Sequence, residues 1–283
     1  MSLVRNFIEN WSRYAKSIDE GGFHEYKHMW GMVVDLDKCT GCNACSVACY
    51  AENNIAVVGE DYFAHGQAMH WMRVERYWDE PDIGGKRITE TQEHGASFIP
   101  MMCQQCNAAP CEPVCPVSAA YHTPDGLNGQ VYNRCIGSRY CEVNCPYRMR
   151  YFNFYSYYET SWPSPLNMQL NPDITVRDKG VMEKCTFCIH RIKAAKDKAN
   201  KENRKLADGD FQTACQQTCP TSAIVFGDLL DHDSEVHQLW HKYQTKLGTP
   251  RQEKENPELR GYRIYEHINT EPCVTYLERV REV

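Results

Sequence analysis

Apolar residues in this chain fall in short runs, and the runs keep a fixed relation to its cysteines. Residues 31–34, 97–102, 130–132 and 180–182 are extended apolar segments, each standing ahead of a group of cysteines. Residues 117–122, 151–155 and 223–226 are rich in β-favouring side chains, and each follows the last cysteine of a group. Short runs of this kind bounded by turn residues predict strands. Thr123-Pro-Asp-Gly-Leu-Asn-Gly129 is dense in turn formers and predicts a hairpin loop. A further strand is expected over 69–78, ending near a turn at 81–85, and residues 189–206 are helical by composition. Strand, loop, short helix and strand in repetition predict an α+β fold.

Composition narrows this little. Hydrophobic residues are 42% and charged residues 24% of 283, as in an ordinary globular protein. No run approaches the roughly eighteen apolar residues of a membrane-spanning helix, and residues 222–230 are broken by Gly227 and Asp228. A net charge of −6 argues against nucleic acid, which selects basic faces. Met1 to Trp11 shows neither an apolar signal core nor a twin-arginine pair. The expectation is either a cytoplasmic location or export in the folded state with a signal-bearing partner.

The sixteen cysteines change the picture. Fifteen form four groups: Cys39, Cys42, Cys45 and Cys49; Cys103, Cys106, Cys111 and Cys115; Cys135, Cys141 and Cys145; Cys185, Cys188, Cys215 and Cys219. Proline follows Cys115, Cys145 and Cys219, whereas Tyr50 follows Cys49. The third group has Ser138 where a second cysteine is expected. One motif is thus repeated four times with stretched gaps.

A cubane cluster needs four converging thiolates, three of which a tight loop can supply. In the run C-x2-C-x2-C-x3-C-P the fourth cysteine serves the other cluster of a two-cluster module, and proline turns the chain away while withholding an amide hydrogen. Structural zinc also takes four cysteines, but it does not account for the x3-Cys-Pro endings or for exchanged fourth ligands. A disulfide framework fits less well still, in a chain of this length without its own signal. The whole therefore predicts an α+β, ferredoxin-like arrangement whose clusters are part of what holds it together. Serine is a poor ligand at neutral pH, so a [3Fe-4S] cluster is expected at the third group. The alternatives are a [4Fe-4S] cluster with serine or water at one iron. Cluster type is a main lever on potential, which spans roughly −700 to +450 mV across such centres.

These motifs resemble the four-cluster iron–sulfur subunits of the dimethyl-sulfoxide-reductase superfamily over roughly residues 31–227. Asn133 to Cys141, Asn144-Cys-Pro-Tyr147, Arg150-Tyr-Phe-Asn153, Asn171 to Arg177 and Gly180 to Cys185 look most like the alternative complex III and menaquinone reductase group. The resemblance implies two bacterial-ferredoxin-like modules related by pseudo-twofold symmetry, with insertions and a C-terminal extension. One is discontinuous (31–96 plus 180–230) and the other inserted (97–155), with 1–30, 156–179 and 231–283 as extensions for partner contact. It implies a first [4Fe-4S] cluster on Cys39, Cys42, Cys45 and Cys219 and a second on Cys185, Cys188, Cys215 and Cys49. A third [4Fe-4S] cluster takes Cys103, Cys106, Cys111 and Cys145. The [3Fe-4S] cluster takes Cys115, Cys135 and Cys141, with Ser138 at the corner lacking a thiolate, nearest the membrane subunit. The implied partners are a molybdopterin-enzyme-like large subunit, a multi-span quinone-binding membrane subunit and a multihaem cytochrome c. The implied location is the membrane periphery, on the periplasmic side by co-export or on the cytoplasmic side.

The remaining candidates are weaker. Cys273 reads as a buried or partly buried free thiol without a role. His65, His70 and His94 lack ligand spacing. Tyr140, Tyr147 and Phe152 either shield clusters or simply pack. The basic face of 189–206 is a solvated surface or a dock for an acidic partner. Three functions compete: an electron conduit of a respiratory menaquinone reductase, the electron-transfer subunit of a molybdenum enzyme acting on an oxyanion, sulfur compound or sulfoxide, and a stand-alone iron–sulfur enzyme. The last needs an open coordination site, which Ser138 alone offers, and no acid–base pair stands beside it in sequence.

Overall fold

The computed structural model describes residues 26–78, 96–158, 162–243 and 260–279. The turn expected at 81–85, His94 and most of the N-terminal extension lie outside them. β1 (Trp30–Asp35) is the centre of the largest sheet. It pairs antiparallel with β8 (Ile224–Asp228), Trp30 opposite Asp228 and Val34 opposite Ile224. On its other side it runs parallel to β10 (Val274–Leu277), which carries β9 (Gly261–Tyr262) at the edge. Both faces of β1 are covered, so it reads as a continuous apolar run without alternation. Trp30, Met32 and Val34 enter the large core, and Val33 enters a second core with Leu229, Val236, Trp240, Cys273 and Leu277.

The resemblance implies an extension for partner contact over 231–283; within that tail lie β10, fully buried inside the main sheet, and the helix Glu235–Lys242 that covers it. Ser234 caps that helix, its Oγ accepting from the His237 amide at 3.2 Å. The tail carries only four consecutive apolar-enriched positions at the strand, too few to stand out against its charge.

Smaller ladders position the cysteine loops. β2 (Met72–Trp78) pairs with β3 (Ala96–Met102), Met72 opposite Met102. β4 (Ala120–His122) and β5 (Asn128–Gln130) form a hairpin closed by Thr123, whose Oγ1 accepts from the Leu127 amide at 3.0 Å. Strand β5 lies two residues earlier than expected, because the chain enters a 3-10 turn at Tyr132–Arg134 just before Cys135. β6 (Tyr151–Phe152) pairs with β7 (Met182–Glu183), which starts only after Gly180 at φ 87°. The expected helix covers Ile189–Lys201 and buries only Ile192, Ala195 and Ala199. Lys193, Lys198 and Lys201 are exposed on its outer side, whereas His190 and Arg191 bind Glu52 and Lys196 binds Asp125.

Candidate metal centres

Each cysteine loop is a bend set by one backbone conformation. Two residues after each leading cysteine, Gly41, Gln105, Gly137 and Phe187 take positive φ of 70, 47, 74 and 53°. The next residue, Cys42, Cys106, Ser138 or Cys188, is therefore presented by the same bend four times, and Ser138 stands exposed there. At 137 the bend needs glycine: a Cβ would lie 2.5 Å from the Gly180 carbonyl oxygen and 2.9 Å from the Phe152 ring.

The trailing cysteines share a second device. Pro116, Pro146 and Pro220 preset a turn in which the amides of Ser118, Arg148 and Ser222 donate to the carbonyls of Cys115, Cys145 and Cys219 at 3.3, 3.1 and 3.2 Å. Those three residues also take positive φ, which turns the following amide back onto the sulfur. Ala119 donates to Cys115 Sγ at 3.1 Å and Ala223 to Cys219 Sγ at 3.3 Å, and Met149 does the same to Cys145. After Cys49, Tyr50 does not break the chain, so the helix Ala44–Glu52 runs on. Asn53 then performs both tasks: its amide donates to the Cys49 carbonyl at 3.1 Å and its side-chain Nδ2 to the sulfur at 3.6 Å.

Cysteines four apart sit one helical turn apart, and the fold uses that spacing to share them. On the helix Ala44–Glu52, Cys45 lies beside Cys39, Cys42 and Cys219, while Cys49 lies beside Cys185, Cys188 and Cys215. The helix Ala214–Thr218 packs against it and contributes Cys215 to the second set, with Cys219 following in the first. The same exchange links Cys111 and Cys115 with Cys141 and Cys145. Cys103, Cys106, Cys111 and Cys145 gather in a third set, and Cys115, Cys135 and Cys141 in a fourth. The sets adjoin in order. Cys45 is near Cys215, Cys185 is near Cys103, and Arg150 lies between Cys111 and Cys141. Cys42 of the first set is exposed, whereas Cys49, Cys188, Cys215, Cys103, Cys106 and Cys111 are buried.

Burial and mutual repulsion push these thiols up: Cys45 and Cys215 to about 11, Cys188 and Cys111 to about 12. Cys219 alone is lowered, because amides of Ala223, Thr221 and Ile224 and the Thr221 hydroxyl outweigh its burial. Amides aimed at sulfur favour its anionic form. Met182 and Ala214 add two more, onto Cys135 Sγ at 3.4 Å and Cys188 Sγ at 3.5 Å. Gathered, buried thiols supplied with N–H donors fit thiolates bound to a polynuclear iron centre, whose charge deprotonates them outright. None of the sixteen cysteines, all among the described residues, forms a disulfide.

Cys273 is fully buried and lies beside Cys106 and Cys103 without joining a loop. Tyr147 is buried, donating to the Ile264 carbonyl, whereas Tyr140 is exposed. His70 bonds Tyr50 Oη through Nδ1 at 2.7 Å, and His65 bonds the Asp61 carbonyl. Sequence reasoning missed Asn53 and the buried network of Glu183. Glu183 accepts from Trp71 Nε1 at 3.0 Å, from Arg177 at 2.9 Å and from Asn153. The tyrosine in place of proline after Cys49 is the signal that points to Asn53, four residues on.

Residues 38–119 match the 4Fe-4S dicluster domain family. The chain is 42% identical over 261 residues, covering 91% of each chain, to the menaquinone reductase iron-sulfur cluster-binding subunit of Nitratidesulfovibrio vulgaris. It is 33% identical to the Hdr-like menaquinol oxidoreductase iron-sulfur subunit 1 of Archaeoglobus fulgidus, over 75% of this chain and 76% of that one. It is 31% identical to the arsenate respiratory reductase iron-sulfur subunit of a Shewanella species, over 79% of this chain and 90% of that one. The repeated cysteine bends and these likenesses agree: the chain belongs to the family of iron–sulfur electron-transfer subunits of the dimethyl-sulfoxide-reductase superfamily, within the group of the menaquinone reductase subunit.

Proposed function

We propose that this chain is the electron conduit of a respiratory menaquinone reductase complex, carrying three [4Fe-4S] clusters and one [3Fe-4S] cluster. The observation that carries the reading is the unbroken succession of four thiol sets, three with four cysteines and one with three. Bound there, iron–sulfur clusters supply one-electron carriers. The first three sets hold the four-iron clusters, and Cys115, Cys135 and Cys141 hold the three-iron cluster, with Ser138 at the corner that has no thiolate. The modules 31–96 plus 180–230 and 97–155 are related by pseudo-twofold symmetry, as the reciprocal sharing of cysteines four apart supports.

The protein's own residues wrap, bury and hydrogen-bond the sulfurs, and they leave the two end sets open. Cys42 is exposed at one end. At the other, Ser138 is exposed beside Ile136 at 67% and Val143 at 79%. An apolar rim of this kind suits a partner surface. A molybdopterin-enzyme-like large subunit with a multihaem cytochrome c lies at the first end, and a multi-span quinone-binding membrane subunit at the fourth. Among the described residues no helix is long and apolar enough to cross a membrane. The chain is peripheral, on the periplasmic side by co-export with a signal-bearing partner.

Ser138→Cys tests the reading. In the native complex, EPR of the oxidised protein shows a [3Fe-4S] signal, and Ser138→Cys abolishes it while raising the iron content by one atom. A native complex without that signal refutes the assignment. Co-purified multihaem cytochrome supports the menaquinone reductase, whereas bound molybdenum points to an oxyanion, sulfur-compound or sulfoxide enzyme.

A further inference from the structure

Arg150 occupies an unusual electrostatic position. It is 2% exposed, yet no carboxylate among the described residues pairs with it. Its guanidinium donates to two amide oxygens, Gln130 Oε1 at 2.8 Å and Asn128 Oδ1 at 2.7 Å. Sulfur atoms stand close to it as well: Cys111 of the third set and Cys141 of the fourth are both within reach of its charge. Three other arginines near the thiol sets have an acid of their own. Arg191 binds Glu52 through Nε at 2.6 Å, Arg177 binds Glu183 at 2.9 Å, and Arg73 binds Glu75 at 2.7 Å. Glu112, whose charge acts on Cys111, is held by Asn128 and His122.

A buried cation with only dipoles around it is costly unless an anion completes the site. Amides frame the guanidinium firmly. Asn128 receives it on one side and donates its own amide to Gln105 Oε1 at 3.0 Å, and Gln105 donates to the Cys185 carbonyl at 2.8 Å. Arg150 is thus braced across the junction of the third and fourth sets, and its charge faces both.

We propose that Arg150 is the shared counter-charge of the third and fourth centres and raises the reduction potential of both together. This rests on the reading that those thiol sets hold iron–sulfur clusters. Thiolate-ligated clusters are anions, and reduction adds one further negative charge with no bond made or broken. A fixed positive charge between two of them therefore stabilises the reduced form of each. When an electron passes from the third centre to the fourth, the charge faces it before and after. The pair acts as one well, set apart from the first two centres, whose nearby Arg191 is neutralised by Glu52.

The test is an EPR-monitored potentiometric titration of the purified complex with wild-type chain, Arg150→Gln, Arg150→Lys and Gln130→Glu. In Arg150→Gln, two of the four centres lose about tenfold in their reduced-to-oxidised ratio at the wild-type midpoint, about 59 mV for one electron. The other two stay unchanged. Arg150→Lys keeps the charge and restores most of that ratio. Gln130→Glu leaves Arg150 in place but gives it a carboxylate, and it lowers the same two centres. If Arg150→Gln loses iron, Gln130→Glu decides: two lowered midpoints sustain the proposal, and four unmoved midpoints overturn it. A shift in one centre alone, or equally in all four, also overturns it. A wild-type complex without iron–sulfur signals would sink the cluster reading and this proposal together, whereas wild-type signals with unmoved midpoints sink this proposal alone.

Discussion

Replacing Glu183 by glutamine removes one negative charge from a closed network and leaves its shape. The side chains of Arg177 and Glu183 are 2% and 3% exposed, so water cannot take over the pairing. Arg177 also donates to the carbonyls of Asn53 at 2.8 Å, Thr175 at 2.7 Å and Asn54 at 3.0 Å, and it lies 4.8 Å above the Trp71 ring. Its hydrogen bonds are thus largely met by dipoles, and what Glu183→Gln takes away is the compensating charge. Breaking one side of a buried pair costs about 3–5 kcal/mol. Glutamine keeps an acceptor oxygen for Trp71 or Asn153, which puts the cost at about 3 kcal/mol. At about 2–4 °C per kcal/mol for a domain of this size, the melting temperature falls by about 6–12 °C. The assay is anaerobic thermal unfolding of the cluster-loaded protein at one scan rate, since loss of clusters makes the transition irreversible. Arg177→Met with Glu183→Met should be less damaging than Glu183→Gln, because neither charge is then left alone. A fall below about 2 °C for Glu183→Gln, or a double variant worse than either single one, would refute the reasoning.

Asn53→Ala removes the only side-chain amide on the Cys49 sulfur among the described residues. One centre should shift to lower potential by up to about 59 mV, a tenfold change for one electron, with the others unmoved in the same titration. Glu271 carries a carboxyl that burial pushes up to about 8, with Arg263 pulling the other way. A raised folded-state value means its contribution is fully present below the ordinary carboxylate range and is lost as pH rises through 8. Glu271→Gln, neutral throughout, should therefore gain melting temperature over the native chain at pH 9 and little at pH 5. An equal gain at both would contradict the shift.

Much of the site was legible because thiolate spacing is a local property. The bends at Gly41, Gln105, Gly137 and Phe187 lie within three-residue steps, and the Cys-Pro turns within four. What the sequence hid was set by distance along the chain. Strand β10 is recruited beside β1 from over two hundred residues away, and Val274 to Leu277 is too short to signal a central strand. The boundaries of β5 and β7 moved because Tyr132 and Gly180 adopt turn conformations that override the apolar run. Arg177 and Glu183 stand inside the resembling segments Asn171 to Arg177 and Gly180 to Cys185, but no spacing there shows that they pair. Their role emerges only where the loop from Asn171 folds against Asn53 and Asn54.

On the proposed function, three of the four thiol sets hold four-iron clusters and the fourth holds a three-iron cluster. Iron and acid-labile sulfide analysis of the intact complex, with EPR at stepped potentials, tests it most directly. Three four-iron centres and one three-iron centre give about fifteen iron atoms per chain, a [3Fe-4S] signal in the oxidised state and three [4Fe-4S] signals that arise on reduction. About sixteen iron atoms with no three-iron signal, or zinc in place of iron at any set, would contradict it.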